Sequence, residues 1–401
     1  MNYDVIIIGA GPAGLSFARA LSESGLDVAV VEKQCKEAIA DPEYDGRDIA
    51  LTHLSKKILE DLEIWPLIPA GEIGRIRQAR VLNGESSYSL QFDQRETSKE
   101  ELGYMVSNHL IRKAAYESVA AHPSVTLVTG DEVTAVETDR DSGCVTLAGG
   151  QTLHAPLLVA ADSRFSSTRR SMGISADMRD FAKLVIVCRM QPQQPHEEIA
   201  YECFHYGRTL AVLPVAGNLS SVVITAPTDV AEEIMQLDED AFNQDVSRNF
   251  DHRLGQMRLM GKRYPYPLVA VHANRFYAWR FALVGDAAVG MHPVTAHGFN
   301  LGLRGAATLA RGIKRATCVG QDIGSEFVLK NYNFRHRRAT LPLYAGTNAL
   351  VGLFTNDTLP AKIVRDAVLR LGNTLPPLKR QIMNQLTEIR PGLLPELPRF
   401  R

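Results

Sequence analysis

The chain has 401 residues, 45% of them hydrophobic, and its formal net charge is −1. This length suffices for a large buried core in two or three domains, while the near-neutral balance excludes the strongly basic composition typical of nucleic-acid-binding proteins. Five scattered cysteines without a C-x-x-C pair are typical of a reducing compartment, and we find neither a signal peptide nor an apolar run of about 18–20 residues, so we predict a cytoplasmic protein.

The first elements along the chain form a β-α-β unit around a glycine-rich loop. The stretch YDVIIIGAGPAGLSFARALSESGLDVAVVEK predicts a buried strand at 5–8, a helix that ends at Gly25, and a second buried strand at 28–31. The loop permits a tight turn and a close approach of a pyrophosphate to the backbone, and an acid follows at the spacing that suits ribose hydroxyls. We predict that the nucleotide half of a dinucleotide is bound by Gly9, Gly11, Ala13, Gly14, Glu32 and Lys33.

The middle of the chain is mostly strands. A helix is predicted from about 108 to 121, with Asn108 as its cap, followed by a small antiparallel layer that begins with VTLVTG at 125–130 and ends in a buried strand at 157–160. From about 180 to 270 the pattern is that of strands, interrupted by one helical insert at 238–253. FALVGDAA returns to a buried strand, and another helix begins near Gly298. The dinucleotide-binding part is therefore discontinuous, with a β-rich insertion between its pieces.

The end of the chain is predicted to be helical and basic. Residues 304–401 carry 16 Lys and Arg against 6 Asp and Glu, and two apolar stripes run over 363–371 and 378–389, with Lys362, Arg365 and Arg370 off the first stripe. A basic amphipathic region of this kind is typical of contact with an anionic membrane surface. A biosynthetic complex, a homodimer contact, a packed helix or a solvated basic face would explain it equally.

Two further motifs distinguish FAD from NAD as the cofactor. LVAADSRFSSTRR, with Asp162, Ser166 and Arg169, resembles the D-G-x-x-S-x-x-R segment of class A FAD-dependent aromatic hydroxylases of the para-hydroxybenzoate hydroxylase type, with Ser163 in place of the usual Gly. LVGDAA resembles their G-D motif. HPVTAHGFNLGLRG then resembles the H-P-x-x-x-x-G-x-N-x-G-x-x-D run of the UbiH/UbiF/UbiM-type hydroxylases of ubiquinone biosynthesis, with Gly305 in place of the final Asp.

This resemblance implies a bound FAD, with NAD(P)H and O2 as co-substrates. It implies that Asp286 accepts hydrogen bonds from the ribityl chain and that Arg47, in a D-x-R-x-x-x-L segment, lies near the phosphates or the ribitol. A helix start at Gly298 would present its positive end to the reduced flavin ring. The other predicted cofactor contacts are Asn108, Asp162, Gly285, Pro293, Phe299 and Asn300.

The reaction that the resemblance implies is hydroxylation of the aromatic ring of a ubiquinone precursor, a polyprenylated phenol or quinol, through a flavin C4a-hydroperoxide. The same fold acting on a soluble aromatic or polyketide, a prenyl-chain reductase and a non-catalytic flavin or lipid binder remain alternatives. No nucleic acid is expected as a partner. Association with the inner face of the membrane would suit a prenylated substrate.

The histidines of this region do not have the spacing of a metal site. His292 and His297 are five residues apart and no H-E-x-x-H occurs, so we expect no bound metal. No nucleophile triad is recognisable, and no catalytic side chain is assigned. His292 and Pro293 are expected to line the flavin and substrate side, His292 as a packing or hydrogen-bonding residue in preference to a base. Aromatic residues of YECFHYG, among them Tyr201 and Phe204, either contact the substrate ring or belong to the core.

The predicted fold class is α/β: a discontinuous Rossmann-like FAD-binding domain, a β-rich substrate domain and a helical C-terminal tail. We assign residues 1–75, 100–178 and 275–335 to the FAD-binding domain. Residues 76–99 and 179–274 form the substrate domain, and residues 336–401 form the C-terminal helical region.

Overall fold

A computed structural model describes residues 1–84, 89–205, 207–291, 297–354, 365 and 376–388. The strands in chain order are β1 (Val5–Ile8), β2 (Val28–Glu32), β3 (Asp48–Leu51), β4 (Gly74–Ile76), β5 (Gln78–Asn83), β6 (Ser89–Asp93), β7 (Gly103–Ser107), β8 (Val125–Thr129), β9 (Val133–Thr138), β10 (Gly143–Leu147), β11 (Thr152–Ala155), β12 (Leu157–Ala160), β13 (Ala176–Pro192), β14 (Ile199–Phe204), β15 (Thr209–Val215), β16 (Leu219–Pro227), β17 (Met257–Ala273), β18 (Tyr277–Ala278), β19 (Phe281–Leu283) and β20 (Val289–Gly290).

The helices in chain order are α1 (Pro12–Leu21), α2 (Lys36–Ala40), α3 (His53–Asp61), α4 (Asn108–Ala120), α5 (Ser167–Ser171), α6 (Thr228–Gln236), α7 (Glu239–Asn249), α8 (His297–Cys318), α9 (Glu326–Phe354) and α10 (Pro376–Thr387). A short 3-10 turn at Gly285–Ala287 links β19 to β20.

The first large sheet is the mainly parallel sheet that the N-terminal β-α-β unit predicts. Its strand order is β18-β19-β12-β1-β2-β8, and β1 lies between β2 and β12 with Val5 level with Val28 and Leu157. Every residue of β1 and β12 is buried, because both faces of the parallel sheet are covered. The small sheet of β9–β11 covers one of them, since a Cβ on Gly143 of β10 would collide with the side chain of Leu158. The predicted strands at 5–8, 28–31 and 157–160 are confirmed. The mixed α/β fold class is therefore also confirmed.

The second large sheet has eight strands in the order β20-β17-β13-β16-β15-β14-β5-β6. One of its faces packs against α6 and α7 around Phe242, Val246 and Phe250. The prediction of a single helical insert at 238–253 was wrong in extent, because two helices, α6 and α7, interrupt the strands. The side chain of Asp238 caps α7 by accepting a hydrogen bond from Ala241 N. β20 pairs with β17 although its residues fall within the range assigned to FAD binding. The domain boundaries themselves stay a prediction.

Two smaller sheets of three strands complete the described architecture. β9, β10 and β11 form the expected antiparallel layer. The neighbouring strand β8 was predicted in that layer but pairs in parallel with β2. The other small sheet, in the order β3-β7-β4, lies between the two large sheets, since Arg189 of β13 forms an ion pair with Asp48 of β3.

The helices at the end of the described chain pack on both sheets. Arg365, expected off an apolar stripe, is fully buried and donates from Nε to Leu353 O over 2.9 Å. Met383 of α10 is buried with residues of the eight-stranded sheet. Among the described helices, none combines the length and the apolar character that crossing a bilayer requires.

Candidate active site

The glycine-rich loop has the geometry that its three glycines predict. Gly9 has φ +109°, and a Cβ there would lie 2.6 Å from Ala161 O at the end of β12. A Cβ on Gly14 would collide with Gly9 O, so both positions exclude larger residues. A Cβ on Gly11 would meet no described atom within 4 Å. The loop therefore exposes backbone at Gly11 and leads directly into α1, whose N-terminus attracts phosphate.

Glu32 lies at the end of β2 and its carboxylate is held by the loop region. Oε2 accepts a hydrogen bond from Ala10 N at 2.8 Å, and Oε1 accepts one from Gln34 N at 3.1 Å. Each carboxylate oxygen can accept a second hydrogen bond, so Glu32 is oriented and still able to bind ribose hydroxyls. Lys33, the adjacent prediction, is exposed at the same strand end.

The Gly-Asp turn from the late part of the chain packs directly on the N-terminal loop. Gly285 has φ +62°, and a Cβ there would lie 2.8 Å from the Cβ of Ala13. A Cβ on Gly302, in α8, would lie 3.1 Å from Gly285 Cα. Small residues at these three positions thus allow α1, the turn and α8 to approach closely. This packing places Asp286 beside the first helix and α8.

Asp286 forms an ion pair that sequence analysis missed. Arg164 Nη2 donates to Asp286 Oδ2 at 2.9 Å, and Arg164 Nη1 donates to Val269 O at 3.1 Å. Both side chains are about one-third exposed, at 29% and 33%. The position of Arg164, two residues after Asp162, could have marked it as a candidate site residue. Its spacing gave no indication of a contact with Asp286, which follows more than a hundred residues later.

The loop after β12 is fixed by Asp162 and Arg169. Asp162 Oδ2 accepts from Thr168 Oγ1 at 2.8 Å, whereas the buried Oδ1 has no hydrogen-bond partner among the described residues. Buried Arg169 donates from Nη1 to Arg164 O and Ala287 O at 3.1 and 3.0 Å, which joins this loop to the Gly-Asp turn. Ser163 has φ +88°, so the Ser in place of Gly occupies the left-handed region at a cost.

Arg47 and Asn108 share one carboxylate. Arg47 Nη2 lies 2.5 Å from Asp45 Oδ2, and Asn108 Nδ2 donates to the same oxygen at 2.8 Å. The guanidinium of Arg47 also lies 5.5 Å from the ring centre of Tyr266. Burial disfavours the charge of Arg47, but the ion pair with Asp45 outweighs it, and with a contribution from Asp286 the pKa of Arg47 rises. The prediction that Asn108 caps α4 was wrong, because Ser107 is the N-cap and Asn108 is the first helical residue.

Arg112 is a second cation that sequence analysis missed. It lies one turn after Asn108 on α4, and its Nη2 donates to Gln34 Oε1 at 3.2 Å. Burial lowers the pKa of Arg112, while the charges of Asp45 and Glu32 oppose that shift. Its spacing of four residues from Asn108 on one helix face was the available signal. Arg112 and Arg47 therefore add positive charge close to the acidic residues Glu32 and Asp45.

The start of α8 faces the same region. A Cβ on Gly298 would meet no described atom within 4 Å, whereas half-buried Phe299 packs against the main core. The Asn300 amide accepts from Thr52 N at 3.1 Å and donates to Ala50 O at 2.9 Å, which ties α8 to the chain after β3. His292 and Pro293 lie outside the described residues.

The last described helix closes one side of this region. Glu388, just after α10, accepts from Arg304 Nη1 at 3.1 Å and from Thr52 Oγ1 at 2.7 Å. The glutamate is 7% exposed. His297 lies 3.4 Å from Gln385 O, measured from its Nε2. This end of α10 is thereby attached to α3 and to the first turns of α8.

These contacts bring together a nucleotide-binding loop and a late Gly-Asp turn as two sides of one site. The exposed backbone at Gly11, the oriented Glu32 and the unpartnered Asp162 Oδ1 fit a dinucleotide that extends from the loop to Asp286. A parallel sheet with such a site, joined to an eight-stranded sheet, defines the class of flavoproteins with a bipartite FAD site.

Comparisons with known proteins agree with this class. The model of the FAD binding domain family matches residues 2–340. Ubiquinone hydroxylase UbiM of Neisseria meningitidis is 48% identical over 96% of this chain and 85% of its own length, and ubiquinone hydroxylase UbiL of Rhodospirillum rubrum is 37% identical over 95% and 88%. The chain belongs to the FAD-binding monooxygenase family that includes these hydroxylases.

Solved structures show the same fold at low sequence identity. The p-nitrophenol 4-monooxygenase PnpA of Pseudomonas putida superposes with a TM-score of 0.78 at 18% identity, covering 96% of this chain and 98% of its own. The similarity extends over both large sheets, so the flavoprotein monooxygenase fold covers nearly the whole chain.

Proposed function

We propose that this chain hydroxylates the aromatic ring of a ubiquinone precursor, a polyprenylated phenol or quinol, with FAD bound and with NAD(P)H and O2 as co-substrates. The observation that carries the proposal is the 48% identity to a ubiquinone hydroxylase over 96% of the chain. The packing of Gly285 on Ala13 supports it, because this contact brings together two cofactor-binding segments that are distant in the sequence.

The residues of the site divide by the part of FAD that each would hold. The ADP half would lie against the glycine-rich loop, Glu32 and Lys33. The ribityl chain and phosphates would lie against Asp286, Asp162, Arg47 and Asn108. The ring would be bordered by Gly285, Gly298, Phe299 and Asn300, while the predicted contacts of His292 and Pro293 lie outside the described residues.

The chemistry divides between cofactor and protein. When bound, the flavin accepts a hydride from NAD(P)H and lets O2 deliver one oxygen atom to the ring while the other leaves as water. Arg164 holds Asp286 Oδ2 and so orients the other oxygen of the carboxylate toward ribityl hydroxyls. The N-terminus of α8 would direct the positive end of the helix dipole toward negative charge on the reduced ring. Asn300 fixes that helix end through Ala50 and Thr52.

Cofactor binding tests the assignment of Asp286. We expect Asp286→Ala to weaken FAD binding at least about tenfold, since a hydrogen bond to a charged group contributes about 1.5–3 kcal/mol. Flavin fluorescence titration of the purified proteins measures this change. The matched control is Asp141→Ala, which removes an exposed carboxylate of a surface turn. Equal affinity in both variants would contradict the role of Asp286.

Deletion of the gene in its host tests the reaction. We expect loss of the quinone and accumulation of an under-hydroxylated precursor by mass spectrometry, restored by the wild-type gene and not by Asp286→Ala. Normal quinone in a strain without a redundant hydroxylase would contradict the proposed substrate. A saturated prenyl chain as the changed product would instead indicate a prenyl-chain reductase.

For the membrane contact, the exposed face of α9 is the best-supported surface. Phe327, Phe334 and Leu341 follow each other at seven-residue intervals and are 73%, 58% and 45% exposed. Arg338 lies on the same face with its guanidinium 5.2 Å from the Phe334 ring, and Lys330 lies there in an ion pair with Glu326 at 3.0 Å. Apolar residues beside basic ones suit an anionic lipid surface.

Vesicle flotation tests this surface. We expect the wild-type protein to bind anionic vesicles, and Phe334→Ser with Leu341→Ser to abolish this binding without loss of FAD. A double variant that still floats would contradict the assignment of α9. A change from dimer to monomer in the double variant would indicate a homodimer contact in place of the membrane.

A further inference from the structure

The face of the eight-stranded sheet turned away from α6 and α7 forms a floor of small side chains. Strand register places Glu202 of β14 level with Ala211 of β15, Ala211 level with Val223 of β16, and Val223 level with Val187 of β13. Successive side chains of a strand point to opposite faces, so these four lie in one row on one face. We call this row the sheet floor.

The sheet floor faces the cofactor-binding half of the molecule. The neighbours of Glu202 along β14, Tyr201 and Cys203, pack on the opposite face with the core around α6 and α7. Tyr201, one of the predicted ring-contacting residues, lies with its ring 5.1 Å from that of Phe250 there, away from the floor. Phe204 shares the face of Glu202 and clusters with Met105 of β7 and Met383 of α10.

One end of the floor reaches the residues that border the FAD site. Val187 is level with Tyr264 of β17, whose ring centre lies 5.9 Å from that of Tyr44. A Cβ on Gly46 would collide with the ring of Tyr264, so the segment that carries Arg47 rests on this end. Adjacent strands are about 4.8 Å apart, so Glu202 lies about 14 Å from Val187, a span longer than an aromatic ring.

Glu202 is the polar group at the other end of the floor. No described residue forms a hydrogen bond or an ion pair with its carboxyl, and its cross-strand neighbours are Val81 and Ala211. The side chain is only half-buried, yet desolvation raises the pKa of the carboxyl to about 8. Its neighbours on this face, Val81 and Ala211, are both apolar, so the carboxyl lies in an apolar part of the sheet floor.

Two of the described cations near this face are each paired with a carboxylate. Arg189, on the same sheet face, forms an ion pair with Asp48 at 2.7 Å. Lys379 of α10 forms one with Glu96 at 2.7 Å. An isolated carboxyl in an apolar environment destabilises the fold, and perturbed carboxyls of this kind concentrate at functional sites.

We propose that the Glu202 carboxyl binds the ring hydroxyl of the aromatic substrate and takes up its proton as the ring is hydroxylated. This inference rests on the proposed function. The phenol O–H bond breaks, an O–H bond forms on the carboxylate, and the electron pair stays on the phenol oxygen. This pair raises electron density on the ring carbon that receives the oxygen atom. That carbon then loses its hydrogen as a proton to solvent, and the carboxylic acid returns its own proton to the phenolate oxygen.

The acidity of the two groups suits this exchange. The pKa of a phenol is about 10, and proton transfer is most effective between groups of similar pKa. Burial brings the pKa of Glu202 from 4.5 to about 8, much closer to that of the phenol. A ring that lies between Glu202 and the cofactor would cover the small side chains of Ala211 and Val223.

The test compares FAD-loaded wild type with Glu202→Gln on a phenol that carries a short prenyl chain. We expect Glu202→Gln to keep FAD and to consume NAD(P)H, but to form at least about tenfold less hydroxylated product and to release hydrogen peroxide in its place. Glu232→Gln, which alters an exposed residue of α6, is the matched control and should behave as wild type.

The pH profile and a binding measurement give independent readouts. Wild-type product formation should rise with pH and level off near 8, about two units below the pKa of a free phenol at ~10. Wild type should bind the phenol about tenfold more tightly than its methyl ether, and Glu202→Leu should lose this preference. A rise that continues past pH 9, or an unchanged preference, would overturn the proposal even if Glu202→Gln folds poorly.

The outcomes separate this inference from the proposed function. Full coupling of product to NAD(P)H in Glu202→Gln overturns the role of Glu202 alone. A wild-type protein that reduces its flavin but hydroxylates no prenylated phenol overturns both.

Discussion

The isolated carboxyl of Glu202 predicts an unusual pH dependence of stability. Burial raises its pKa from 4.5 to about 8, so between these values the folded state keeps a proton that the unfolded state has released. The free energy of unfolding therefore falls as the pH rises from 4.5 to 8. Each pH unit in that window corresponds to about 1.4 kcal/mol. The full effect above pH 8 is about 5 kcal/mol, and partial exposure of the side chain reduces it.

Urea unfolding of wild type and Glu202→Gln at pH 6 and pH 9 measures this contribution. We expect the free energy of unfolding of wild type to fall by about 2–3 kcal/mol more than that of the variant between these pH values, because glutamine does not titrate. Other groups titrate equally in both proteins and cancel. Saturating FAD at both pH values keeps the bound state constant, and Glu232→Gln should follow wild type. Parallel pH dependences in wild type and Glu202→Gln would refute the isolation of this carboxyl.

Three further predictions concern packing, backbone strain and a buried histidine. Gly302→Val should place side-chain atoms against Gly285, lower the FAD content and destabilise the fold by about 1–3 kcal/mol in thermal unfolding, whereas Gly346→Val on open helix surface should keep FAD; a full flavin complement in both would contradict the packing. Ser163→Gly should stabilise the fold by about 1 kcal/mol, because φ +88° is unstrained for glycine, and an unchanged urea midpoint would count against strain there. Burial lowers the pKa of His336 to about 3, whereas in the unfolded state this histidine takes up a proton below pH 6.5. The free energy of unfolding of wild type should therefore fall by about 2 kcal/mol more than that of His336→Gln when the pH is lowered from 7 to 5. Equal decreases in the two proteins would contradict the burial of His336.

The parts of the fold that sequence analysis predicted correctly are those with a local physical cause. The glycine at position 9 adopts φ +109°, and the glycine at position 14 fits against the first turn, as the loop requires. The strand at 5–8 is apolar throughout because both faces of a parallel sheet are covered. The cofactor class followed from these features together with the later Gly-Asp turn.

The errors of sequence analysis share a different cause. β8 reads as part of an antiparallel layer, but it pairs with β2, because a strand's own pattern does not specify its partner. The insert predicted as one helix is divided at Leu237–Asp238, where a side-chain cap starts a second helix. Arg365 was predicted to lie off an apolar helix face, whereas it is buried and its Nε donates a hydrogen bond to the backbone carbonyl of Leu353.

Sequence by itself therefore determined the glycine loop, the acid at the second strand and the family, because steric limits on glycine and the period of buried strands act within a few residues. Tertiary structure decided what those residues meet. The contact of Ala13 with Gly285 joins sites more than 270 residues apart, Arg164 reaches Asp286, and strand register turns Glu202 toward the sheet floor. Each depends on which strands and helices become neighbours, which is settled by packing over the whole chain.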